Sequence, residues 1–356
     1  MGLPAAALFF WFTLFCRLGL ILNSDLGTTP DPPTQLSIDV QSSTVAVVSW
    51  DPPNNSSFSG FNLKVILFSL SEPNKEIKNI QTLDQKSTLK DLTPGATYEI
   101  QLYSVYKQKE STAYISTHFT NKPNTPGRFI IWFRNETTLI ALWQPPYPAG
   151  YFTSYKASIE PKDSIQSELY IPRESDSSGP AQAAFNDLVP GRAYNFSVET
   201  LSNGQISDPA QARYRTVPLR PHNVTFDQTS IGPDFFSVRW SAPTGISDFD
   251  RYQVAIGTQK KTVQIVENGQ PLVAGFTENL SPGQTYQVVV KTVSGSVASW
   301  PATGNVTTRP LPVSSIREEQ EAGPGSPVSV LAWQPNSESQ QDSYKVRKEW
   351  GLSNNF

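Results

Sequence analysis

The chain has 356 residues, with 28 Lys plus Arg against 31 Asp plus Glu, a formal net charge of −3 and 11% aromatic residues. That length suits two or three domains, and so balanced a charge leaves no electrostatic case for nucleic acid, which needs clustered Lys and Arg. Low charge together with many aromatics also excludes a wholly disordered chain.

The first feature in chain order is the uncharged run Ala5–Cys16, AAALFFWFTLFC. It fits the apolar core of a secretory signal, so residues 1–24 are read as a signal peptide with cleavage expected near Asn23–Ser24. The alternative is an uncleaved anchor, because Leu3–Leu22 approaches the length a bilayer needs. Arg17 interrupts that span, and a charge in mid-membrane is costly, which favours the signal. Cys16 is the single cysteine, and its removal leaves no disulfide, cysteine–zinc site or cysteine nucleophile. No later apolar stretch is long enough to span a bilayer.

Beyond the leader the chain repeats. Trp50-Asp-Pro-Pro, Trp143-Gln-Pro-Pro, Trp240-Ser-Ala-Pro and Trp333-Gln-Pro-Asn lie 93, 97 and 93 residues apart. An aromatic follows each Trp by 11 or 12 residues: Phe61, Tyr155, Tyr252 and Tyr344. A second phrase keeps phase: Leu92-Thr-Pro-Gly-Ala-Thr-Tyr98, Leu188-Val-Pro-Gly-Arg-Ala-Tyr194 and Leu280-Ser-Pro-Gly-Gln-Thr-Tyr286. Period-two alternation runs into each Trp (Ala46, Val48, Trp50; Leu139, Ala141, Trp143; Phe236, Val238, Trp240) and out of each Tyr (Tyr98, Ile100, Leu102; Tyr194, Phe196, Val198; Tyr286, Val288, Val290). Such alternation marks strands with one buried face. Each block is therefore an all-β unit of short strands around a buried Trp. Pro then Gly suits the two central positions of a type II turn. The following Tyr is placed to bury its ring and return its hydroxyl to the turn, a tyrosine corner. Trp50, Tyr98, Trp143, Tyr194, Trp240 and Tyr286 are thus structural, with no catalytic role for the tyrosines.

This combination, Trp followed by Leu-x-Pro-Gly-x-x-Tyr without cysteines, resembles the fibronectin type III repeat, which implies tandem immunoglobulin-like β-sandwiches and says little about function. Two stretches, Arg215–Phe226 and Val290–Pro312, resemble the ectodomains of insect receptor-type tyrosine phosphatases. That resemblance implies a role in contact signalling. It transfers no catalytic residue, because the chain has no His-Cys-x5-Arg motif.

Proline clusters at Lys122–Pro126, Val217–Pro221 and Arg309–Pro312 separate the blocks. Proline stiffens extended backbone and withholds a ladder donor. The repeats are therefore placed at 31–122, 123–217 and 218–309 as a semi-rigid string. Residues 310–356 are an incomplete fourth repeat, expected to be disordered or poorly packed because half a sandwich cannot cover Trp333. The chain is read as a fragment or a short form.

Candidates for chemistry are few. His118 and His222 lie far apart, and neither a further set of zinc ligands nor a phosphate loop is present, so no cofactor is expected. Asn-x-Ser/Thr sequons stand at Asn54, Asn55, Asn135, Asn195, Asn223, Asn279 and Asn305, and in a secreted chain several would carry glycans. Phe129–Phe133 (FIIWF) reads as a first strand covering its own sandwich. Tyr147, Tyr151 and Phe152, in one loop, are candidate partner contacts, with packing on the neighbouring repeat as the alternative; Trp300 is a further candidate whose favoured reading is packing at the next linker. There is no Arg-Gly-Asp, and Lys260-Lys261 is too short for a heparin patch. The expected partner is an extracellular or cell-surface protein, with no nucleic acid and no small-molecule substrate. Three roles stay open: a receptor ectodomain, an adhesion protein made only of these repeats, and an intracellular scaffold, against which the leader argues.

Overall fold

Alternating strands bury one face only, so two sheets must close over each other to cover them. The computed structural model describes residues 29–68, 75–173, 180–265, 270–321 and 328–347. The leader with Cys16 and the segment 348–356 fall outside them. All regular structure among the described residues is β.

Repeat one comprises β1 (Thr34–Val40), β2 (Ala46–Asp51), β3 (Gly60–Phe68), β4 (Lys75–Thr82), β5 (Lys86–Leu89), β6 (Thr97–Tyr106), β7 (Lys109–Glu110) and β8 (Ile115–Thr120). One sheet has the order β1-β2-β5; the other is β4-β3-β6, with β7 and β8 both pairing with β6. Repeat two uses the same plan with β9 (Phe129–Arg134), β10 (Leu139–Trp143), β11 (Ser154–Glu160), β12 (Glu168–Pro172), β13 (Ala181–Phe185), β14 (Ala193–Ser202), β15 (Gln205–Ile206) and β16 (Ala210–Arg215). Repeat three does so with β17 (His222–Ile231), β18 (Phe236–Ser241), β19 (Arg251–Ile256), β20 (Gln259–Gln264), β21 (Leu272–Phe276), β22 (Thr285–Ser294), β23 (Val297–Ala298) and β24 (Ala302–Thr307).

Each sandwich closes over its own core, centred on Trp50, Trp143 or Trp240. The strand after each Trp turns its aromatic edge-on to the indole. Centroids are 5.5 Å apart for Trp50–Phe61, 5.4 Å for Trp143–Tyr155 and 5.5 Å for Trp240–Tyr252. This is the geometry in which a ring's positive edge meets the neighbour's negative face.

Strand β9 departs from simple alternation. Phe129 and Ile131 pack against the core, whereas Ile130, Trp132 and Phe133 are exposed. The register with β10 slips between Ile140 and Ala141, so that Trp132 is an extra residue. A bulge of one residue reverses which side the following side chains take. It therefore carries Phe133 outward, leaving only part of FIIWF as cover for its own sandwich.

In the fourth block, β25 (Ser315–Glu321) and β26 (Val328–Gln334) pair as a hairpin. Trp333 is only half-buried, with Tyr344 edge-on at 5.5 Å. Ile316 is 67% exposed, and a cavity of about 310 Å³ opens beside Trp333. Among the described residues this hairpin has no second sheet to cover such side chains.

Candidate functional site: joints between repeats and an open end

The Pro-Gly phrases form the expected turns. Gly95, Gly191 and Gly283 have φ of 70°, 73° and 73°. The hydroxyl of Tyr98 accepts the Thr93 N–H at 2.7 Å, that of Tyr194 accepts Val189 N–H at 2.8 Å, and that of Tyr286 accepts Ser281 N–H at 2.7 Å. Tyr98 and Tyr194 are fully buried, while Tyr286 is half-buried. Across the ladder Tyr98 stands opposite Phe119, Tyr194 opposite Tyr214, and Tyr286 opposite the smaller Val306.

Phe152 is not a surface contact. It is 9% exposed and tilts against Tyr155 at 4.9 Å within the core of repeat two. Phe58 packs likewise on Phe61 at 5.2 Å, and Phe249 on Tyr252 at 5.3 Å. A Phe three residues before the second core aromatic is thus a further repeated signal, present in the sequence as Phe58-x-x-Phe61, Phe152-x-x-Tyr155 and Phe249-x-x-Tyr252.

The same turns join the repeats. A Cβ added to Gly95 would lie 1.8 Å from the Tyr151 carbonyl oxygen; at Gly191 it would lie 1.8 Å from that of Asp248, and at Gly283 1.9 Å from that of Gln340. Glycine is therefore required twice over, for its positive φ and for close backbone approach. The residue whose carbonyl makes that approach also donates its N–H to the turn proline: Tyr151 to Pro94 O and Asp248 to Pro190 O, both at 2.8 Å, and Gln340 to Pro282 O at 3.1 Å. The end of β14 adds Ser202 Oγ, donating to Gly95 O at 2.7 Å, and the end of β22 adds Ser294 Oγ, donating to Gly191 O at 2.7 Å. Inside the same strands, Thr200 Oγ1 donates to Asn124 O and Thr292 Oγ1 to Leu219 O, at 2.6 and 2.5 Å. Repeats two and three thus each grip the turn before them with two backbone groups and one hydroxyl, and the linker with a second hydroxyl, while the fourth block holds its turn through Gln340 backbone.

The joint between repeats two and three also carries charge. Arg192 Nε donates to Asp248 Oδ2 at 2.9 Å and its Nη1 to Asp163 Oδ2 at 3.1 Å, while Tyr194 Oη donates to Asp163 Oδ2 at 2.7 Å. Burial first, and then the bond to Asp163, push the Tyr194 hydroxyl well above the ordinary tyrosine range. The bond to Asp248 raises the Arg192 guanidinium further and keeps it charged. The joint between repeats one and two has instead a Lys122–Asp208 pair at 2.6 Å, with Asp208 78% exposed. A pair so exposed adds little.

The remaining sequence candidates separate by exposure. Tyr147 is 95% exposed, and Trp300 56%. Tyr151 is 49% exposed, but its backbone belongs to the joint. Asn54, Asn55, Asn195, Asn223, Asn279 and Asn305 are exposed. Asn135 is half-buried, its Oδ1 accepting the N–H groups of Thr137 and Thr138. His118 and His222 lie on different repeats, and among the described residues no three His, Cys, Asp or Glu cluster closely enough for a metal.

At repeat one the receiving end has no partner among the described residues, and its residues differ. Ser104 stands where Thr200 and Thr292 stand, six positions after the corner tyrosine. It is fully buried, and its Oγ has no hydrogen-bond partner. Tyr106 replaces Ser202 and Ser294, and Ser57 replaces Tyr151 and Asp248.

A family model described as the fibronectin type III domain matches residues 31–117, 124–213 and 219–308. The chain belongs to the fibronectin type III family. Among curated proteins it is 28% identical over 299 residues to rabbit (Oryctolagus cuniculus) collagen alpha-1(XII) chain, covering 83% of this chain and 45% of that one. It is 25% identical over 298 residues to human (Homo sapiens) tenascin-R, covering 83% of this chain and 21% of the relative. The chain therefore spans less than half the length of these relatives. A solved two-domain fibronectin type III segment of chicken tenascin covers 52% of the chain at 18% identity, with a TM-score of 0.39. None of these names is that of a receptor-type phosphatase, so that resemblance stands on the linker phrases alone.

Proposed function

We propose that this chain is an extracellular adhesion segment that binds a protein ligand and performs no turnover. In it, repeats one and two hold the ligand surface and repeat three serves as a spacer. One observation carries the reading: the loops at the receiving ends of repeats two and three are occupied by the preceding Pro-Gly turns, whereas at repeat one no such turn is present among the described residues and the repeat's own Asp31 reaches the loop, its N–H donating to Ser56 Oγ at 2.7 Å. Rigid sandwiches presenting free loops are a common platform for recognition. The collagen and tenascin relatives support an extracellular setting, and the signal-like start supports passage through the secretory pathway. Glycans at Asn195, Asn223, Asn279 and Asn305 would mark faces that are not protein interfaces, whereas Asn54 and Asn55 lie in the open loop of repeat one, so ligand binding there requires that loop to be free of glycan.

A second reading places the same repeats in the ectodomain of a receptor-type tyrosine phosphatase. The phrases Arg215–Phe226 and Val290–Pro312 favour it. A longer transcript encoding a membrane span and a His-Cys-x5-Arg motif would decide for this reading over a protein made only of repeats. The test of the binding surface is common to both. The chain produced in secretory cells is scored for binding to cell surfaces, intact and with 218–309 deleted. Retained binding supports the assignment, and loss on that deletion alone sinks it.

A further inference from the structure

The open end of repeat one contains a cavity of about 660 Å³, whose lining includes Gly60, Phe61, Leu83, Asp84, Gln108 and Glu110. Building on the adhesive reading above, we infer that this cavity receives an arginine side chain of the protein ligand.

The case rests on a comparison within the molecule. Gly60 immediately precedes the second core aromatic, Phe61; in repeat three that position is Arg251, before Tyr252. Arg251 turns its guanidinium into the corner between its own strand and the β22–β23 turn. There Nη2 donates to Gly295 O at 3.0 Å and Nη1 to Asp250. In repeat two a guanidinium comes from the neighbouring strand: Arg173 lies 4.4 Å from the centroid of the Phe152 ring. Arg173 is two residues beyond Ile171, the cross-strand partner of Tyr155. The position two residues beyond Thr82, the partner of Phe61, is Asp84. Repeat one therefore has a glycine where repeat three has its arginine and a carboxylate where repeat two has its own. In repeats two and three a guanidinium thus flanks the start of the central strand, from the β12 side in one and toward β22 in the other, and repeat one has neither arginine at the matching positions.

The lining suits that guest. Asp84 and Glu110 of the lining supply carboxylates, and beside it Phe58, the counterpart of Phe152, packs on the lining residue Phe61 at 5.2 Å and is 38% exposed. Glu110 is held by Lys64 at 3.2 Å and by Asn62, which is 3% exposed and whose Oδ1 has no hydrogen-bond partner. A planar guanidinium can stack on a ring while donating to a carboxylate in the same plane, which an ammonium cannot do.

The test uses the full chain, labelled with ¹⁵N, and the blocked tripeptide acetyl-Gly-Arg-Gly-amide as probe, with citrulline and lysine analogues beside it. Saturable amide shifts are expected at Gly60, Leu83, Asp84 and Gln108, at least tenfold weaker for the neutral citrulline peptide and severalfold weaker for lysine. Gly60→Arg, which supplies the chain's own guanidinium as repeat three does, should abolish the shifts. Should that variant fail to fold, the exposed rim substitution Asp84→Lys carries the same expectation. Absence of saturable shifts, equal response to the citrulline peptide, or binding undiminished in the folded variant would each overturn the assignment. Cell-surface binding by the same variants separates the two readings. Adhesion that persists while the peptide fails to bind refutes the cavity and leaves the adhesive role standing. Absent adhesion by the unaltered chain sinks the role, while the peptide shifts still judge the cavity.

Discussion

Gly191→Ala should open the joint between repeats two and three while leaving both sandwiches folded. An L-residue at φ of 73° costs roughly 1–2 kcal/mol by itself. The added methyl would also sit 1.8 Å from Asp248 O and 3.0 Å from Pro218 Cβ, so the neighbouring loop must retreat by more than an ångström. That movement breaks the 2.8 Å bond from Asp248 N–H to Pro190 O and the 2.7 Å bond from Ser294 Oγ to Gly191 O. At about 1 kcal/mol each, their loss destabilises the joint by about 2 kcal/mol, roughly a thirtyfold shift toward the open form. The Arg192–Asp248 pair adds little to this sum because both side chains are partly exposed. Gly204→Ala is the matched control: φ there is 83°, and nothing lies within 4 Å of the added Cβ. Both variants bear the backbone cost, and only the first meets the clash. Small-angle scattering should show a broader distribution of inter-repeat distances for Gly191→Ala and an unchanged one for Gly204→Ala. Identical profiles for the two variants would refute the claim that this contact sets the joint.

Trp143→Ala should destabilise repeat two by about 3–5 kcal/mol, read as early loss of its transition in thermal melting, because a fully enclosed indole leaves a large cavity. Tyr194→Phe removes the acceptor for Val189 N–H and should cost about 1–3 kcal/mol at neutral pH. It should also flatten the alkaline limb of the stability curve. Unfolded tyrosine titrates near about 10, and burial and Asp163 hold the folded hydroxyl above that value. The folded state thus keeps a proton that the unfolded chain sheds, and this contribution is whole below about pH 10 and declines as pH rises toward the folded value. Denaturant titrations of both proteins from pH 7 to about 11 provide the comparison. Ser202→Ala leaves Gly95 O without its hydroxyl donor and should speed proteolysis in the linker 122–126, at little cost to the melting of either neighbouring sandwich.

The sandwiches were legible in the sequence because their determinants are local and periodic: alternating strands into Trp50, Trp143 and Trp240, and a Pro-Gly turn at a fixed distance from each tyrosine. The joints were not, because they are made largely by backbone. Tyr151, Asp248 and Gln340 occupy one geometric position with unrelated side chains, and what they share there is a carbonyl and an N–H. Ser202 and Ser294, like Thr200 and Thr292, do recur eight and six residues after their tyrosines, yet small polar residues in strands carry no signature of what they face. Phe152 reads as a loop contact from its neighbours in sequence, and only the three-residue spacing to Tyr155, repeated in all three units, points to the core. The outward turn of Phe133 depends on a bulge that alternation does not reveal.

Every complete repeat carries a Pro-Gly bend at one end, and repeats two and three also carry the hydroxyl-bearing receptor for such a bend at the other. Removing repeat two as a whole would bring the bend at Gly95 to the receptor of Asp248 and Ser294, two surfaces already built to the same pattern. Lengthening or shortening by whole units, as exon gain or skipping would produce, therefore preserves the connection, whereas a cut inside a unit forfeits it.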